Sequence, residues 1–130
     1  MVESTQNATS TELPFDAESV RAMQALVRRI PVSRGLVTAA VSLARRTRPG
    51  EPDAPAAVKE YVEWGAGPRA SQYLVLAAKA RAAMDGRPMA DLEDVATVAP
   101  SVLRHRVVTN FAAEAAGRTS EDLVLELLEN

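Results

Sequence analysis

Three features of the sequence predict an all-α fold, a compact bundle of six or seven short helices. Apolar residues recur at three- and four-residue spacing in successive short windows. Each window is bracketed by helix punctuation, with Asp, Ser or Thr before it and Pro or Gly after it. No stretch alternates apolar and polar residues over a convincing strand length. Only Arg87-Pro88-Met89-Ala90 and Arg106-Val107-Val108-Thr109 have the makings of briefly extended chain.

The punctuation sets the elements in order. Residues 1–14 are polar and aperiodic and read as a disordered lead or linker. Residues 15–130 then form one helical domain. Asp16 caps the first helix, with Phe15 before it as a hydrophobic staple. Val20, Met23, Leu26, Val27 and Ile30 follow at helical spacing, and Pro31 stops it. Ser33 caps a second helix with Leu36, Val37, Ala40, Val41 and Ala44 on its apolar stripe. Arg45, Arg46 and Arg48 fall in or just after its last turn, where cations suit the helix dipole.

A proline-rich loop (Thr47 to Asp53) leads to Pro55, which opens a short third helix reaching Trp64. Val58, Tyr61 and Val62 face inward, and Trp64 is assigned to the core with Tyr61. The fourth helix runs from about Pro68 to Met84, with Leu74, Ala77, Ala78, Arg81 and Met84 on one face. Arg81, on that otherwise small and apolar face, is expected to snorkel or pair with an acid. Gly86 suits the position just past the helix end. Asp91 caps a fifth helix bearing Leu92, Val95, Ala96 and Ala99, and Asp94 sits favourably for the dipole. Pro100 is expected to break or kink that pattern. A sixth segment, Ser101 to Ala116, carries Val102, Leu103, Val107 and Phe111 and ends at Gly117. Thr119 caps a last short helix with Leu123, Val124, Leu127 and Leu128.

Composition narrows the function classes. The 130 residues suffice for one domain with one core. Aromatics are only 4%, so the core is built from Leu, Val, Ala and Met. There is no cysteine and one histidine, His105, which excludes disulfides, thiolate metal sites and a histidine metal cluster. No apolar run is long enough to span a membrane. The N-terminus lacks the basic and apolar regions of a signal peptide, so a cytoplasmic location is expected. The net charge of −2 argues against general nucleic-acid binding. The charge is unevenly spread. Both ends are acidic, while residues 19–118 hold nine acids and 15 bases, a local charge of +6. Thirteen of those bases are arginine, whose planar fork suits phosphate and carboxylate partners.

The stretch with the most chemistry in it is Gly65-Ala66-Gly67-Pro68-Arg69-Ala70-Ser71. Two glycines and a proline mark a turn. Pro68 opens the next helix, so Arg69 lies in its first turn, where the dipole disfavours a cation by about 0.3–1 kcal/mol. Backbone N–H groups at such a start are suited to an anion. A glycine-flanked helix start with an arginine therefore reads as half of a phosphate site. A surface ion pair to a nearby carboxylate explains the same residues. The machinery of phosphate hydrolysis is missing from this chain. None of the six glycines precedes a lysine, as a phosphate-binding loop requires, and no apolar strand ends in an acidic pair for magnesium. The chain alone is not expected to catalyse a reaction.

The order of several short motifs resembles the C-terminal helical lid, or sensor-2 domain, of the MoxR family of AAA+ ATPases. They are the Gly65–Ser71 stretch, Ala77-Ala78-Lys79-Ala80-Arg81-Ala82, Gly86-Arg87, Asp94-Val95 and Val102-Leu103-Arg104-His105-Arg106. Upstream, Val27-Arg28-Arg29-Ile30-Pro31-Val32 and Thr47-Arg48-Pro49 fit as well. The resemblance runs from about Phe15 to the C-terminus. The family's glycine-serine-proline-arginine appears here with Gly67 in the serine place. The resemblance implies that Arg69 is the sensor-2 arginine, with Gly67 and Pro68 as its helix-start neighbours. It reaches ATP phosphates bound with magnesium in a P-loop core that this chain lacks. It further implies a homo-oligomeric ring, a chaperone-like ATPase, and von Willebrand factor A-domain proteins as partners. The chain would then be an excised lid or a truncated product. Arg104, His105 and Arg106 read as a polar helix face with His105 hydrogen-bonded locally; contact with nucleotide or a neighbouring subunit is the other reading of the same motif. A stand-alone helical interaction module without nucleotide binding is the alternative.

Overall fold

The computed structural model describes residues 15–129. The lead assigned to residues 1–14 lies outside the described residues. In chain order the elements are α1 (Ala17–Arg29), α2 (Arg34–Arg46), α3 (Ala56–Tyr61), β1 (Val62–Trp64), α4 (Arg69–Met84), α5 (Leu92–Leu103), β2 (Val108–Thr109), α6 (Phe111–Ala115) and α7 (Ser120–Glu129). The fold is a compact, mostly helical bundle with seven helices among the described residues.

Helix α4 is the central element. It packs on α5, α2 and α1, and α5 in turn carries α7. Alanines at the crossings (Ala40, Ala78, Ala82 and Ala99) are fully buried and let the backbones approach closely. Leu36, Leu74, Leu103 and Leu123 fill the space between. Burying a leucine of this kind contributes about 1.5–3 kcal/mol. The caps read from the sequence are present. Asp16 accepts from the Ser19 amide and Ser33 from the Leu36 amide. Asp91 and Asp94 form a reciprocal capping box at the start of α5.

Four expectations are corrected. The third helix stops at Tyr61, and Val62–Trp64 pairs antiparallel with Val108–Thr109 in a two-stranded ribbon. Asn110 fastens this ribbon, donating through its amide N–H to the Tyr61 carbonyl and through Nδ2 to the Glu60 carbonyl. Trp64 is not core. Val62 is buried, but the register slips between Val62 and Trp64, so Trp64 sits opposite Val108 and is 68% exposed. Pro100 does not break α5, which runs through it to Leu103. The lost hydrogen bond costs less than uncovering Val95, Ala99, Val102 and Leu103. The sixth segment is therefore not one helix: it is the end of α5, a turn, β2 and the five-residue α6. Phe111 opens α6 and is exposed, while Ala113 is the buried residue there. Met84, at the last turn of α4, also faces solvent.

Helix α1 carries no fully buried residue. Its spacing is as expected, but only Val20, Val27 and Ile30 are partly covered, and Met23 and Leu26 remain exposed.

Candidate functional site

The turn before α4 is held by the end of α2. Thr47, the last-turn cap of α2, is fully buried despite its hydroxyl. That hydroxyl donates to the Ala44 carbonyl at 2.6 Å and accepts from the Ala66 amide at 2.9 Å. Arg48 Nε donates to the Ala66 carbonyl at 2.8 Å. Both polar groups of Ala66 are thus satisfied by neighbouring residues of one loop. Gly65 is required by the same approach: a Cβ there would sit 2.5 Å from the Thr47 carbonyl oxygen. The expected role of Arg48 as a dipole partner of α2 is replaced by this clamp. Arg45 pairs instead with Glu51 at 2.9 Å.

Past the clamp the chain turns out to solvent. Gly67 and Pro68 are exposed, and a Cβ on Gly67 would meet nothing within 4 Å. Pro68 is the N-cap of α4 with helical dihedrals and supplies no side-chain cap. Ser71 instead donates its hydroxyl back to the Pro68 carbonyl at 2.8 Å. Arg69 is the first residue of α4. It is exposed, with no hydrogen bond or ion pair among the described residues. The surface ion pair that the sequence left open is therefore absent from the described residues. An apolar groove flanks the start of α4, lined by Val37 and Val41 of α2 with Val75, Leu76 and Lys79 of α4.

At the other end of α4 lies a charge cluster that the sequence shows only in part. Gly86, at φ +69°, ends the helix in a left-handed turn, with the Arg87 amide donating back to the Ala82 carbonyl. The reversal brings Arg87 over Asp94, which is 1% exposed. The guanidinium binds both carboxylate oxygens, at 2.9 and 2.6 Å, and Arg81 Nε adds a third bond at 3.1 Å. The Arg87 hydrogen bonds hold the Asp94 carboxyl well below the usual carboxylate range; burial opposes this and loses. Arg81 thus has the acid expected of it. Asp94 is more than a dipole partner, and the sequence does not disclose its pairing with Arg87 because that pairing depends on the turn at Gly86. This cluster ties α4 to α5 and is structural.

The Arg104–Arg106 motif divides. Arg104 is exposed, 3.9 Å from Glu121. His105 is exposed beside Arg106. Arg106 is half-buried, with its guanidinium 4.7 Å from the centre of the Tyr73 ring on α4. Among the described residues there is no group of three His, Cys, Asp or Glu side chains able to hold a metal ion. Nor is any helix among them long and apolar enough to cross a membrane.

The described residues thus form a small helical bundle in which a gripped glycine turn presents Arg69 at a helix start. Residues 54–127 match the AAA lid domain family, and the chain belongs to that family. It is similar to a protein named chaperone MoxR1 from Mycobacterium tuberculosis, 39% identical over 72 residues, 55% of this chain and 19% of that protein. A crystal structure of a protein assigned as an ATPase, from Cytophaga hutchinsonii, superposes with a TM-score of 0.74 at 30% identity. That match covers 81% of this chain and 32% of the other. The chain therefore spans about a fifth and a third of the proteins it resembles. These relationships place it as a lid of the MoxR type of AAA+ ATPase.

Proposed function

We propose that this lid closes over ATP bound in a P-loop core domain and that Arg69 is its sensor-2 residue. The observation that carries the reading is the state of Arg69: first in α4, exposed, and without a partner among the described residues. A cation at a helix start is locally unfavourable. Its placement makes sense when an anion arrives from outside. The clamp of Thr47 and Arg48 on Ala66 holds the turn that presents Arg69, which supports this reading. ATP and Mg²⁺ would be held by the core. This chain offers a guanidinium for the phosphates but no acidic cluster for the metal among the described residues. In phosphoryl transfer an arginine so placed stabilises charge that builds on the transferring group.

The same reading makes the lid part of a cytoplasmic, chaperone-like ATPase that assembles as a homo-oligomeric ring and works with von Willebrand factor A-domain proteins. Binding of a fluorescent ATP analogue tests the lid's share. The chain alone should bind weakly. A P-loop core joined to it should bind more tightly than the core alone, and Arg69→Ala should remove the gain. Equal binding with and without the arginine would reject the assignment.

A further inference from the structure

Arg69 does not stand alone on its face of α4. Tyr73 lies four residues on, one helical turn away and about 6 Å along the axis, so the two share a face. Helical side chains lean toward the N-terminus, the direction of the turn that holds Arg69. On that ring rests Arg106, carried in by the turn after α5, its guanidinium 4.7 Å from the ring centre.

Arg106 is unlike most other half-buried arginines here. Arg48, Arg81, Arg87 and Arg118 each have a carboxylate partner. Arg106 has none. One N–H is spent on the Val102 carbonyl at 2.6 Å, and the same nitrogen touches the His105 ring. A guanidinium has five N–H donors, so the other side of the fork is left without an acceptor among the described residues. Ring stacking and the Val102 bond hold the group in place without neutralising it. Two arginines without carboxylates thus occupy one face of the lid. An anion long enough to meet both would be needed to engage the two charges together.

We propose that Arg106, seated on Tyr73, is a second phosphate-binding residue of the lid, and that Arg69 and Arg106 together grip the polyphosphate chain of a nucleoside triphosphate. This deepens the reading of Arg69 given above and rests on it. It gives the Arg104–Arg106 motif a task in which Arg106 binds, Tyr73 positions it, and Arg104 takes no part.

The test is a side-chain NMR titration of the full chain at low ionic strength, following the Nε–Hε signals of both arginines. Inorganic triphosphate is the probe, with ATP and AMP as comparisons. Triphosphate and ATP should move both signals along one common binding curve in the millimolar range. AMP, with a single phosphate, should not couple them. Arg106→Gln should weaken triphosphate binding at Arg69 at least threefold, and Arg69→Gln should do the same at Arg106. Tyr73→Leu should weaken both responses, while Arg106→Lys should retain part of the affinity. A moving Arg69 beside an unmoved Arg106 would overturn the proposal and leave the role of Arg69 standing. No movement at either residue would also overturn it, because the lid would then have no two-arginine site. The role of Arg69 is decided separately, by turnover with the core present.

Discussion

The Ala66 amide donates to the buried Thr47 hydroxyl at 2.9 Å, across 19 residues of sequence. This bond joins the end of α2 to the turn that starts α4. Thr47→Val keeps the shape of the side chain but strands the Ala66 amide. Leaving a buried donor unsatisfied costs about 1–3 kcal/mol. Chemical denaturation should show a loss of that size, with Thr47→Ser costing less because its hydroxyl remains.

The two glycines of the turn should respond in opposite ways. Gly65→Ala forces a methyl group to within 2.5 Å of the Thr47 carbonyl and against the Arg48 backbone, so the clamp must open. Overpacking of this kind costs about 1–3 kcal/mol. Gly67 has open space and no left-handed dihedral. Gly67→Ala should leave stability unchanged or raise it by about 0.4–1 kcal/mol, since it restricts the unfolded chain. Thermal melts of both variants decide this; equal effects would mean the turn is not gripped as described.

Asp94 should make the fold sensitive to acid. Its folded pKa lies below the unfolded value of 3.8 because the hydrogen bonds and charge of Arg87, with the Asp91 hydrogen bonds, favour the charged form over the opposing cost of burial. The ion-pair contribution is therefore complete above about pH 4 and is lost as pH falls through the lower folded value. Asp94→Asn should lower stability at neutral pH, by about 1–3 kcal/mol. The gap between the two proteins should narrow below pH 4. A gap that stays constant with pH would show that the charge on Asp94 is not what binds α5 to α4.

The sequence discloses the helices well because their caps are local. Asp16, Ser33 and Asp91 each accept from the amide three residues on, as side-chain chemistry alone suggests. It discloses the motif around Arg69 for the same reason: a turn and a helix start are short-range features. It does not disclose the ribbon of β1 and β2, because three residues pair with two across more than 40 positions and neither run is long enough to announce itself. The solvent-facing position of Trp64 is hidden by the same gap, since the slipped register decides which way it faces. The helix continues through Pro100 because burial on both sides of it outweighs a local preference for a break. The clamp on Ala66 was illegible too. Thr47 and Arg48 look like ordinary helix-end residues until the turn is folded against them.

The claim on which the function rests is that Arg69 acts on phosphates supplied by a partner domain. Its direct measure is ATP turnover by a P-loop core joined to this lid, comparing the parent with Arg69→Ala. The side chain is exposed and unpaired among the described residues, so folding stability should change by no more than about 0.5 kcal/mol. Turnover should fall by about 10²-fold or more, the scale expected when a charge-stabilising donor is removed. A correctly folded Arg69→Ala lid that supports undiminished turnover would contradict the account.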